Sequence, residues 1–250
     1  MAHHTSRTAV LRLRAGVIIA AIGLAALTGC TPAASDGGAA TTAAPATTAP
    51  VDSSPAPSAS ASEASTGALD AAALSDLFSG IQFRPGEYDS TAAMLESIYP
   101  GLTVSDAACL APFGAGWESA DAAVEYGTSN DRSMTAVVAS AADEATAEDL
   151  VAQADGAIAT CADGQELFAM QGVPITTSVA PFDLAVTGAD AVQGWRVTGD
   201  VGGSPFTLVG ATVRVGQNAL ALVGWDPETS ADYVPQATQL FVDRIAQAAG

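Results

Sequence analysis

Three cysteines, Cys30, Cys109 and Cys161, are the side chains of this chain with the widest choice of chemistry. A thiol can take an acyl group, close a disulfide, bind a metal or attack a carbonyl, and its surroundings select among these. Nucleophilic attack wants a histidine as base. The two histidines, His3 and His4, both precede an apolar run that reads as a removable leader. The mature chain would then have no Ser-His or Cys-His pair and no histidine metal site. There is also no Gly-x-Ser-x-Gly elbow, no phosphate-cradling glycine loop and no acidic run at calcium-loop spacing. The 27 acidic residues offer carboxylate pairs of the kind used in glycoside hydrolysis, but their spacing singles none out. No catalytic residue, cofactor or metal is assigned, and the sequence reads as a non-enzyme.

Cys30 has the most specific surroundings. Arg7, Arg12 and Arg14 lead into an apolar stretch from Ala15 to Leu27, then Thr28, Gly29 and Cys30. A basic start, a short apolar core and small residues make a secretory signal over residues 1–29. The core is about 13 residues long, short for the ~30 Å hydrocarbon layer of a membrane. Leu27-Thr28-Gly29-Cys30 resembles the bacterial lipobox. That resemblance implies lipid on the Cys30 sulfur, cleavage before Cys30, and a place on the outer face of the cytoplasmic membrane.

Charge narrows the partners further. All eight basic residues are arginines, three of them in the signal, so the mature chain carries five against 27 acids, a net charge of −22. Nucleic acid binding needs clustered positive charge, and anionic lipid surfaces attract it, so neither is expected as an electrostatic partner. Membrane attachment must come through lipid on Cys30. The lack of lysine with abundant Ala, Gly and Thr resembles a GC-rich actinobacterial composition.

The elements that must position the other two cysteines begin late. Residues 30–66 are mostly Ala, Thr, Ser and Gly with five prolines, and Val51 is the one large apolar side chain. Such a segment buries too little to offset its ordering entropy and reads as a disordered tether, with an end-to-end distance of roughly 30–35 Å. Its composition also suits O-glycosylation. Residues 67–250 are enough for one domain with a sizeable core. Periodicity predicts helices over 69–79 and 91–99, the latter capped by Ser90 or Asp89, and a hairpin pairing Ala122–Tyr126 with Met134–Val138. A long helix over 147–161 would start at a Thr146-x-x-Asp149 box and end at Asp163-Gly164. Its apolar stripe of Leu150, Ala154, Ile158 and Cys161 buries that cysteine.

Strands follow at 167–170, 175–179, 192–198, 206–215 and 219–225, with Pro174 and Pro181 favouring edges or strand ends and Gly202-Gly203 a hairpin turn. In 206–215 one face is apolar and the other mixed, which suits a sheet covered on one side. A helix over 234–248 closes the chain. The fold class is α+β: an antiparallel sheet of about six strands with helices packed on one face, and one disulfide.

With Cys30 taken by lipid, Cys109 and Cys161 remain in an oxidising compartment, either bonded to each other or as two buried thiols. Trp117, Trp195 and Trp225 read as core or rim packing. Trp195, after a glycine in an alternating strand, could instead line the open sheet face.

Asp106-Ala-Ala-Cys109-Leu-Ala-Pro112, Val124-Glu125-Tyr126 in the hairpin, Ala159-Thr160-Cys161-Ala-Asp-Gly164, Val192-Gln-Gly-Trp195-Arg196 and Ala219-Leu-Ala-Leu-Val223 together resemble the PknH-type extracellular sensor domain over residues 69–249. That domain occurs on a mycobacterial receptor Ser/Thr kinase and on free actinobacterial lipoproteins. The resemblance implies an antiparallel sheet, helices on one side, the Cys109–Cys161 pair and a cleft that accepts a ligand. Family members usually have a second disulfide in the late strands. No cysteine follows Cys161, so packing alone must hold those strands here.

The function expected is a lipid-anchored extracytoplasmic domain that binds or senses a small-molecule, lipid or envelope ligand without catalysis. The alternative is a lipid or glycolipid carrier. A continuous apolar cavity of about 300–1,000 Å³ would favour the carrier and a shallow polar-rimmed cleft the sensor.

Overall fold

The computed structural model describes residues 67–250 apart from 87, 163–167 and 171. The signal, Cys30, the tether and the expected Asp163-Gly164 helix end lie outside the described residues. Helix α1 (Ala71–Asp76) leads to strand β1 (Phe83–Pro85), α2 (Thr91–Ile98), β2 (Leu102–Val104) and a 3-10 segment, Ala107–Phe113. The hairpin β3 (Ala122–Ser129) and β4 (Met134–Ala141) precedes α3 (Glu144–Thr160), then the short β5 (Phe168–Met170), β6 (Val173–Ile175) and β7 (Thr177–Pro181). A meander of β8 (Ala191–Val201), β9 (Ser204–Val215) and β10 (Asn218–Gly224) runs into α4 (Ser230–Ala249).

The strands form two sheets rather than one. Seven are ordered β1-β3-β4-β10-β9-β8-β7, three are ordered β2-β5-β6, and every pair is antiparallel. Pro181 ends the edge strand β7 and Pro174 lies in the edge strand β6, where a missing N–H costs no ladder bond. The α+β class, the antiparallel pairing and the single bridge are as expected. The three-residue strands β1 and β2 are too short for alternation to show in sequence.

The apolar face of the large sheet is covered as its pattern requires. Val209, Ala211, Val213, Leu220 and Leu222 pack there with Leu74 and with Val234, Phe241 and Ile245 of α4. The mixed face, expected to be open, is covered as well. Ala139, Ala219 and Ala221 meet Leu150 and Val151 of α3, together with Met94 and Trp117. Helices therefore lie on both faces of this sheet. Small side chains suit this packing: Ala147 and Ala154 of α3 and Ala139 and Ala219 of the sheet are all fully buried. Every residue of β10 is buried as a result.

Local capping agrees with the boundaries. The Ser90 hydroxyl accepts from the Ala93 N–H (3.1 Å) at the start of α2. In α3 the cap is Asp143, whose carboxylate accepts from Thr146 N–H (2.8 Å), one turn before the Thr146 start read from sequence. Those bonds hold the exposed Asp143 carboxyl below its ordinary value.

Candidate functional site: an apolar pocket between the two sheets

The bridge sets the geometry from which the site is built. Cys109, in the 3-10 segment, and Cys161, at the C-terminal end of α3, are both buried and joined by a disulfide, with Cα atoms 6.0 Å apart. Asp106 caps the 3-10 segment by accepting from Ala108 N–H (2.9 Å). Four residues beyond Cys109, Phe113 is pressed into an aromatic group. Its ring centroid lies 4.9 Å from that of Trp195, 5.9 Å from Phe168 and 5.9 Å from Trp225. The disulfide therefore fixes Phe113 between the large sheet and the small one.

Next to that group is a cavity of about 110 Å³. Val201, Phe206 and Leu208, from the β8–β9 end of the large sheet, form one wall. Leu102, Phe168 and Ile175, one from each strand of the small sheet, form the opposite wall. Tyr99, just past α2, and Trp225, just past β10, complete the lining, with ring centroids 5.3 Å apart. The Trp225 indole N–H donates to Thr135 Oγ1 (3.0 Å), so its polar atom is satisfied elsewhere. Tyr99 carries the one side-chain hydroxyl of the lining. Burial pushes that phenol up, so it remains a neutral donor at physiological pH.

A second depression, of about 610 Å³, lies between the 3-10 segment and α3. Ala107, Ala111, Gly156 and Ala157 line it, with the Asp106 and Glu118 carboxylates and no basic side chain. Among the described residues no group of three or more His, Cys, Asp or Glu is placed to hold a metal ion. No helix among them is long and apolar enough to cross a membrane.

Of the residues singled out by sequence, Cys109 and Cys161 are brought together and Cys30 is outside the described residues. Trp117 and Trp195 are fully buried core residues. Trp195 does not line an open face: its six-membered ring lies across Gly210, the residue paired with it on β9. Trp225 is the tryptophan that reaches the pocket. Tyr99, Val201, Phe168 and Phe206 were not singled out. The available signal is Phe206 and Leu208, two large apolar side chains on the mixed face of β9.

No protein family matches this sequence, and no curated protein does. One solved structure it is similar to is the extracellular domain of PknH from Mycobacterium tuberculosis, at 14% identity, over 72% of this chain and 93% of that one, with a TM-score of 0.42. The likeness is distant.

Proposed function

We propose that this chain is a lipid-anchored extracytoplasmic protein whose folded domain binds a ligand and catalyses nothing. The apolar pocket between the sheets carries the reading. Eight side chains from five strands and two loop positions converge on it, and the bridge holds one side of it in place. A disulfide within the core suits a compartment that keeps thiols oxidised. The signal and the lipobox-like Leu27–Cys30 place the chain at the envelope and supply its attachment.

The cavity's size separates the two functions considered. At about 110 Å³ it is below the 300–1,000 Å³ range of sites that enclose a drug-sized ligand. It is smaller still than a carrier would need for a whole lipid. Recognition of one apolar group fits, with the remainder of the ligand outside. Protein purified from its own membranes should accordingly hold a compound that ends in such an apolar group.

The anchor is checked separately. Cys30→Ala should move the protein from the membrane pellet to the soluble extracytoplasmic fraction. Co-sedimentation of the variant with membranes, as for the unaltered protein, would remove lipid as the means of attachment.

A further inference from the structure

We infer that the pocket takes a single uncharged ring, aromatic or alicyclic, presented at the end of its ligand; this rests on the binding reading above. Volume sets the upper limit, since a dry apolar cavity of about 150 Å³ is enough to hold benzene. The space here, about 110 Å³ and open on one side, is smaller than that, so it takes at most one ring seated in its mouth and neither a fused pair nor a long acyl chain. Shape comes from the walls. Tyr99, Phe168, Phe206 and Trp225 present four aromatic rings, and rings gain from offset and edge contacts that a flexible chain does not make.

Charge sets the third limit. No charged side chain among the described residues lines the pocket, and the sequence neighbours of two lining residues, Asp200 beside Val201 and Asp226 beside Trp225, are carboxylates. A carboxylate or phosphate on the ring would be desolvated without a guanidinium to meet it. The Tyr99 hydroxyl offers one neutral donor to a substituent on the ring.

The test uses the full mature chain with its disulfide intact and three probes: toluene, benzoate and palmitate. Tryptophan emission and ligand-observed NMR report binding. Toluene should bind saturably, with benzoate weaker by about tenfold or more because its charge must be buried, and palmitate without a one-to-one complex. Val201→Phe, filling the pocket from its half-buried edge, should weaken toluene by about tenfold or more without lowering the melting temperature. Phe206→Ala, which enlarges the pocket, should admit naphthalene where the unaltered protein rejects it. Benzoate binding as tightly as toluene would overturn the inference, as would toluene binding indifferent to both substitutions. One-to-one palmitate binding would overturn the ring while leaving an apolar site in place. Failure of all three probes would overturn the site itself.

Discussion

Cys161→Ser should lower the unfolding free energy by about 4 kcal/mol, the largest effect expected of any single change in the domain. The bond links residues 52 apart, and closing a loop of that length restricts the unfolded chain by about 4 kcal/mol in the chain-entropy account. Two further costs act in the native state. The serine hydroxyl would occupy a site that is 3% exposed, and Cys109, 4% exposed, would be left as an unpaired thiol. Loss of the bond also frees the 3-10 segment that carries Phe113, so ordering at the aromatic group should weaken and ligand affinity should fall together with stability. Denaturant unfolding of the two proteins, with and without reductant, checks this. Reductant should bring the unaltered protein close to the variant. Equal midpoints in all four conditions, or free thiols at both cysteines by peptide mapping of unreduced protein, would contradict it.

Gly210→Ala should cost about 3 kcal/mol, at the upper part of the overpacking range, and lower the melting temperature by about 6–12 °C for a domain of this size. A Cβ at position 210 would lie 2.1 Å from Trp195 Cζ2, 2.4 Å from Cε2 and 2.5 Å from Cη2. The indole has nowhere to move: it is 0% exposed and its ring packs against Phe113. Trp195→Phe removes the atoms that meet the new methyl. It should therefore be less harmful in the Gly210→Ala background than alone, a coupling that a double-mutant cycle reads directly. Strict additivity of the two changes would mean that the Trp195–Gly210 contact does not constrain the core.

What the sequence made legible was whatever is local and periodic. The alternation in 122–126 and 134–138 marks the first hairpin, the stripe through Leu150, Ala154, Ile158 and Cys161 marks α3, and the strand patterns at 192–198, 206–215 and 219–225 mark the meander. Counting cysteines in an oxidising compartment leaves a bridge or two buried thiols, and the structure shows the bridge. The second face of the sheet was misread for a physical reason. Phe206, Leu208, Gly210, Thr212 and Arg214 look like a half-polar surface, yet Gly210 is the hollow that receives Trp195 and Thr212 is fully buried. A glycine that makes room for a distant indole has the same letter as one in an exposed strand. The pocket was hidden for a related reason. Tyr99, Phe168, Phe206 and Trp225 are far apart in sequence, and no local pattern says that a three-stranded sheet of three-residue strands will bring them together.

Non-denaturing mass spectrometry of the protein extracted from its own membranes tests most directly whether it is an anchored protein with a small apolar site. The expected mass is that of a chain beginning at acylated Cys30 with its disulfide closed. One further non-covalent adduct carrying a ring should be present, lost on activation and absent from Val201→Phe. An unacylated chain would contradict the anchor, while a bound intact lipid would contradict the small site and restore the carrier. A clean acylated chain with no adduct, in protein that also ignores ring probes, would contradict the binding function.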